Sequence, residues 1–328
     1  MRIELKFNTA SKRKFLPMDY QYYIAAWIYK VLSLSDEAYA SFLHEHGYGK
    51  GDSHLYKLFC FGRLNFGKPK IWREKKLFQL FSNEMSLKIA FDVNEAAANF
   101  IKGLFADQEF YLGDKFNGID FTVSGVQVLP EPDFDSFVSG SSAGAASSVE
   151  PGYSDSAGPG YSDSEDATDA GDLTDKGSSG SLAEEDMAIM GNVSFGGDIA
   201  ASRNNLVVSV HYRNVTPWVV SYKEATDKYA EYLKPDHPLF ASCVAKHLIE
   251  KYNDLHDSRV DASEISLDIA PEYKRSGFLI KPGSRDETRI VGNLCDFVLT
   301  APSGIHKMIW NSGLCEKSSL GFGWVEIK

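Results

Sequence analysis

The sequence contains no run of about 18 apolar residues, so it offers no candidate for a membrane-spanning helix. Cysteine is scarce and scattered, at positions Cys60, Cys243, Cys295 and Cys315, with no Cys-x-x-Cys pair. That spacing fits neither a disulfide frame nor a zinc site, and reduced thiols in a cytoplasmic protein are the expectation. The opening residues lack the charged-then-apolar layout of a secretory signal; Met1 to Phe7 alternate apolar and charged side chains, the pattern of a strand. An excess of positive charge is also missing. The net charge of −11 argues, at first reading, against a nucleic-acid partner.

The distribution of that charge reverses the argument. Residues 131–200 hold fifteen acidic side chains and a single basic one, Lys176, whereas residues 1–130 carry seventeen Lys and Arg against fourteen Asp and Glu. Residues 201–328 carry sixteen of each sign. Outside the acidic stretch the chain is therefore slightly basic, and patch geometry decides whether it can meet a phosphate backbone. The acidic stretch also contains a short repeat, Pro151-Gly152-Tyr153-Ser154-Asp155-Ser156 and Pro159-Gly160-Tyr161-Ser162-Asp163-Ser164, set among Ser, Gly and Ala. Such a composition cannot bury enough surface to offset its ordering entropy. It predicts a flexible linker over 132–203 between an N-terminal domain, 1–131, and a C-terminal domain, 204–328. Its aspartates are not read as a metal site, since a floppy segment cannot hold hard-cation geometry.

Both flanking halves read β-α-β-β-α-β. In the first, strands are predicted at Arg2–Phe7, Tyr56–Phe61, Lys70–Arg73, Met85–Phe91 and Ile119–Leu129. Helices are predicted at Asp19–Leu32, from Ser35 towards His44, and at Val93–Leu104. The second offers strands at Leu206–Tyr212, Trp218–Ser221, Ser266–Ile269, Arg289–Cys295, Asp296–Thr300 and Gly323–Ile327. Its helices are predicted at Leu239–Tyr252 and Gly304–Ser312. Two successive units of this order predict an α+β protein of tandem ferredoxin-like, RRM-like domains, a fold often used to present RNA-binding sheets.

The most specific stretch is Ser312-Gly313-Leu314-Cys315-Glu316-Lys317-Ser318-Ser319-Leu320-Gly321-Phe322-Gly323-Trp324-Val325. Glycines allow positive φ and close backbone approach, and Lys317, Ser318 and Ser319 offer donors suited to phosphate oxygens. A tight turn before an edge strand is the alternative. The stretch resembles the C-terminal glycine-rich loop of CRISPR-associated repeat endoribonucleases of the Cas-six type. Leu16-Pro17 through Tyr23 and Ile28-Tyr29 are similar to that family's first helix, and Phe42-Leu43-His44-Glu45 followed by Lys50 to its second helix and active-site loop. Phe59-Cys60-Phe61-Gly62-Arg63-Leu64 is similar to the next strand, Val215-Thr216-Pro217-Trp218 to the entry of the second half, and Phe240 to Tyr252 to its central helix. Two positions depart from the pattern: Cys315 stands where the family commonly has glycine, and Gly62 where it commonly has serine.

The resemblance implies a metal-independent endoribonuclease that binds CRISPR repeat RNA and cuts precursor crRNA, with no cofactor. It places His44 as acid–base, Lys50 as the cation on phosphate and Tyr29 as the orienting hydroxyl. It assigns RNA contact to Gly313, Lys317, Ser318, Ser319, Gly321, Phe322 and Gly323. Imidazole suits the proton transfers because its ordinary pKa lies near 6.5. Other readings stay open at this point. His46 and His54 are rival imidazoles, Tyr29 sits in an aromatic-rich helix that could be core, and Lys50 could be a solvated loop charge. The clusters Lys12-Arg13-Lys14 and Lys68, Lys70, Arg73, Lys75, Lys76 could track RNA phosphates or simply be solvated. The alternative function is a non-catalytic repeat-RNA-binding subunit of a CRISPR effector complex, whose other subunits would be partners; a metal-dependent nuclease or general RNA-binding protein is a third.

Overall fold

In β1 (Arg2–Asn8) the alternating side chains Ile3, Leu5 and Phe7 turn into a core while Lys6 and Asn8 turn to solvent. The computed structural model describes residues 1–50, 55–137, 206–224, 230–256 and 259–328. The predicted flexible linker falls, from 138 onward, outside the described residues, as does His54.

The first half continues through β2 (Phe15–Pro17), α1 (Tyr20–Ser35), α2 (Glu37–Glu45), β3 (Phe59–Phe61), β4 (Lys70–Trp72) and β5 (Leu77–Gln79). It ends with β6 (Glu84–Phe91), α3 (Asn94–Ala106), β7 (Glu109–Gly113) and β8 (Gly118–Leu129). The main sheet runs β3-β6-β1-β8-β7, and β2, β5 and β4 form a small accessory sheet. With β7 and the accessory sheet set aside, this is the ferredoxin-like order, in which the first strand lies between the third and fourth. Helix α1 packs on the main sheet through Ile24, Trp27, Ile28 and Val31, all buried. Trp27 stacks on Phe110 of β7 with centroids 4.3 Å apart, and Phe7 meets Phe110 edge-on at 5.2 Å.

The second half has β9 (Val207–Asn214), β10 (Ser221–Tyr222), β11 (Glu231–Tyr232), α4 (Phe240–Leu255), β12 (Ser266–Ile280), β13 (Thr288–Pro302), α5 (Ser303–Ser312) and β14 (Val325–Ile327). Its sheet order, β12-β13-β9-β14, repeats the ferredoxin-like arrangement, so the described residues form two tandem domains of this type. Along β9, Val208, Val210 and Tyr212 are buried and alternate with exposed Ser209, His211 and Arg213.

Several elements differ from the sequence expectation for identifiable reasons. Arg289–Cys295 and Asp296–Thr300, expected as two strands, form the single strand β13. Asp296 does not break it, because its carboxylate faces outward to accept from Arg213 (3.2 Å) and Lys328 (2.6 Å). Ser35 does not begin the second helix but completes α1. Asp36 is extended (φ −155°) and caps α2 by accepting from the Tyr39 N–H at 2.9 Å. The short strands β2, β5 and β7 were not anticipated; each is too brief for its alternation to stand out. Residues 132–137, expected within the linker, lie against the second half: Phe134 is 4% exposed and stacks on His306 at 5.7 Å.

The two halves meet at Arg2. Its guanidinium lies 3.3 Å from the Trp310 ring centroid and 4.0 Å from that of Trp324. It donates to the carbonyls of Trp310 (2.8 Å) and Val325 (2.9 Å) and pairs with Glu326 at 3.7 Å. Burial lowers its pKa to about 10, opposed by Glu326, so it stays cationic at neutral pH and links β1 to α5 and β14.

His306 is buried neutral. Its Nδ1 accepts from the Tyr212 hydroxyl (2.9 Å) and its Nε2–H donates to the Val208 carbonyl (3.2 Å). Burial pulls its pKa down to about 4, partly opposed by its backbone hydrogen bonds. An unfolded chain takes up this proton near pH 6.5 and the native one only near 4, so stability falls as pH drops through that window. The residue should cost about 3 kcal/mol of unfolding free energy between pH 7 and 4. Denaturant titrations should record that slope and find it reduced in His306→Gln; an equal slope in both proteins would contradict the assignment.

Candidate active site

Helix α1 presents Tyr29 on the flank of its buried stripe, half-buried between core and surface. Helix α2 carries His44 in its last turn, where the imidazole is exposed. The two rings meet edge-on with centroids 5.1 Å apart and an interplanar angle of 81°. Tyr29 is steadied from the other side by Phe59 of β3, edge-on at 5.6 Å. Burial pushes the Tyr29 phenol up to about 12, an effect that the neighbouring Ser319 side chain opposes in part. At neutral pH it is a protonated phenol, suited to orienting by hydrogen bonding rather than to taking a proton.

Both ends of α2 are fixed. Asp36 caps its start, and at its end the Lys57 ammonium donates to the carbonyls of His44 (2.7 Å) and His46 (3.1 Å). A cation is favoured there because the last carbonyls of a helix have no intrahelical partners. Lys57 was not singled out in the sequence; a lysine ahead of a strand carries no motif, and only the fold brings it to the helix end. The chain leaving α2 is tied back by reciprocal backbone bonds between Tyr48 and Tyr56 (2.8 and 2.6 Å) and by the contact of the Tyr39 and Tyr48 hydroxyls (2.9 Å). His46 is exposed at the C-cap. Lys50 is exposed on the loop that follows, adjoining residues 51–54, which lie outside the described residues.

The glycine-rich loop comes from the second half and seats on the first. Beyond α5 it turns at Gly313, passes through a one-turn 3-10 helix, Ser318–Leu320, and returns into β14. The Leu314 N–H donates to the Gly323 carbonyl (3.0 Å) and the Gly323 N–H to the Pro217 carbonyl (2.9 Å). Glu316 accepts from the Ser221 N–H (2.8 Å) and hydroxyl (2.6 Å). Across the domain boundary the Cys60 thiol donates to the Phe322 carbonyl at 3.3 Å. The buried Lys251 ammonium, its pKa lowered by burial, reaches the Gly313 carbonyl at 3.4 Å. Gly321 has φ +84°, and a Cβ there would fall 2.4 Å from the buried Phe61 ring, so the close seating requires glycine. At Gly62 a Cβ would rest at an ordinary 3.5 Å from Trp324, so the serine common at this position would fit as well.

The structure thus brings Tyr29, His44 and Ser319 together from three elements of two domains. Of the loop residues singled out in the sequence, Lys317 is exposed and Ser319 half-buried, whereas Gly313, Ser318, Gly321, Phe322 and Gly323 are buried. Phe322 stacks on Phe278 at 4.2 Å and 10°, inside the second core. Of these residues, Lys317 and Ser319 are therefore the ones with solvent-exposed surface, and the others pack within the fold.

Two fused ferredoxin-like domains, clasped by a glycine-rich loop that reaches a histidine–tyrosine pair on the other domain, define the architectural class. Residues 15–127 match the family described as CRISPR-associated protein Cas6, N-terminal, and residues 204–327 match CRISPR associated protein Cas6, C-terminal. The chain belongs to the Cas6 family. Over 132 residues it is 30% identical to CRISPR-associated endoribonuclease Cas6 1 of Methanocaldococcus jannaschii, a match covering 40% of this chain and 46% of that one. The chain thus spans about half the length of this curated relative. A Cas6-related protein of Pyrococcus furiosus shares the fold with a TM-score of 0.65 at 18% identity, over 100% of this chain and 98% of that one. A RAMP protein described as binding different RNA substrates does so with a TM-score of 0.63 at 17% identity, over 100% and 99%. Among the described residues no helix is long and apolar enough to cross a membrane.

Proposed function

We propose that the protein is an endoribonuclease that binds CRISPR repeat RNA and cuts precursor crRNA into guide RNAs without a metal ion. The observation that carries this reading is the Tyr29–His44 pair, 5.1 Å between rings, with the Ser319 side chain of the glycine-rich loop beside the Tyr29 phenol. Membership of the Cas6 family and the likeness to the M. jannaschii endoribonuclease support it. The substrate's own 2′-hydroxyl attacks the adjoining phosphorus. His44 moves the proton, taking it from the 2′-hydroxyl or giving one to the departing 5′-oxygen. Tyr29 and Ser319 donate hydrogen bonds that fix the phosphate, and Lys50 with Lys317 offsets charge on the pentacoordinate transition state. The products are a 2′,3′-cyclic phosphate and a 5′-hydroxyl, and the guide RNA passes to a CRISPR effector complex.

The test is cleavage in EDTA of the CRISPR repeat RNA encoded beside this protein. The unmodified RNA should be cut. The same RNA with a single 2′-deoxyribose 5′ of the mapped cut should remain whole, because its nucleophile is gone. Continued cutting of the deoxy substrate would mean a water nucleophile and would overturn the mechanism. Repeat RNA that is bound but never cut would make the protein a binding subunit instead.

A further inference from the structure

The accessory sheet carries an outward face that the active site does not use. Its register sets Phe15 and Lys70 beside Gln79, and Pro17 and Trp72 beside Leu77. Opposed residues share a face and successive residues alternate. Leu16, Phe78 and Ile71 therefore form one face, of which Leu16 and Phe78 are core residues; Phe15, Pro17, Lys70, Trp72, Leu77 and Gln79 form the other, where Pro17 and Leu77 are buried and Lys70 and Trp72 exposed. The bond from the Leu80 N–H to the Lys14 carbonyl (2.8 Å) carries the pairing on towards Arg13 and Phe81. Trp72 is 36% exposed and Phe81 64%. The ammonium groups of Lys70 and Lys75 lie 4.6 and 5.5 Å from the Trp72 ring centroid. Phe15 meets that ring edge-on at 6.5 Å, and the indole N–H donates to Gln79 at 3.1 Å, so the ring is held rather than loose. Between Lys68 and Lys76 the chain has five cations and one acid, Glu74.

Exposed aromatic rings flanked by cations are what unpaired nucleotides recognise: bases stack on the rings and phosphates meet the ammonium groups. We propose that this face is a second binding site for single-stranded RNA, with bases on Trp72 and Phe81 and phosphates on Arg13, Lys70 and Lys75. It rests on the RNA-processing reading and deepens it: the site takes a stretch of the same repeat RNA away from the cut. Tyr20 at the start of α1 touches Phe78 on the inner side of this sheet. Tyr29 lies nine residues further along the helix, about 14 Å at the helical rise.

The test is binding of a fluorescent oligouridine of about a dozen nucleotides to the full chain. It is read beside single-turnover cleavage of saturating repeat RNA. Trp72→Ala with Phe81→Ala should weaken oligouridine binding about 10-fold or more. Lys70→Glu with Lys75→Glu, changes at exposed side chains, should weaken it too and flatten its salt dependence. Both variants should cut saturating repeat RNA at the unaltered rate. Wild-type affinity for oligouridine in both variants would overturn the site, and a face used by a protein partner would give that result. A wild-type protein that leaves repeat RNA uncut, yet loses oligouridine on these substitutions, would sink the endoribonuclease reading and keep the site.

Discussion

Replacing His44 with alanine should slow cleavage of repeat RNA about 10²- to 10⁴-fold, the range a positioned proton-transfer group supplies. Folding and RNA affinity should stay near those of the parent. The imidazole is exposed at the end of α2, outside the buried core. Lys57, which closes that helix end, bonds to the backbone carbonyls of residues 44 and 46, which alanine keeps. The loss should therefore appear in single-turnover rate constants and be absent from filter-binding curves. Normal turnover in this variant would shift the acid–base role away from His44, with His46 and His54 as the imidazoles nearest in sequence.

The second large effect is expected at Gly321, far from any proton transfer. Alanine there must hold φ near +84°, which costs an L-residue about 1–2 kcal/mol. Its methyl group would also stand 2.4 Å from the fully buried ring of Phe61, so ring or loop must shift, and overpacking adds about 1–3 kcal/mol. The loop must then lift from β3, taking Ser319 away from the Tyr29 hydroxyl. Gly321→Ala should lose about 2–5 kcal/mol of unfolding free energy and cleave at least about tenfold more slowly, one lost transition-state contact being worth that much. Gly62→Ser, beside the same strand, should do neither, since its Cβ meets nothing nearer than Trp324 at 3.5 Å. A Gly321→Ala protein with parental stability and rate would mean that the seating of the loop does not matter.

Legibility differed between fold and site for physical reasons. The tandem β-α-β-β-α-β order could be read because strands such as β1 and β9 alternate cleanly and helices such as α4 repeat Phe240, Val244 and Leu248 on one face. Of the accessory sheet only β4 could be read, at Lys70–Arg73; β2 and β5 have three residues each and take their faces from pairing partners distant in the chain. Tyr29 and His44 could be singled out only through the family resemblance, because fourteen residues and a helix break separate two ordinary side chains. Their edge-on contact is a tertiary fact. The glycine-rich loop was conspicuous, yet its composition did not distinguish the residues that line a surface from those that build it. Phe322 would pass for a base-stacking aromatic, but the fold spends it on Phe278. Lys57 and Arg2 carry no motif, and Lys251 entered only as part of the central-helix resemblance; each acts on backbone carbonyls that only the folded chain brings within reach.

The central claim is that residues of both domains let a ribose attack its own phosphodiester. It is tested most directly by the chemistry of the cut ends when purified protein processes its CRISPR repeat RNA in EDTA. The account requires a 2′,3′-cyclic phosphate on the upstream fragment and a 5′-hydroxyl on the downstream one. A 5′-phosphate facing a 3′-hydroxyl would contradict it.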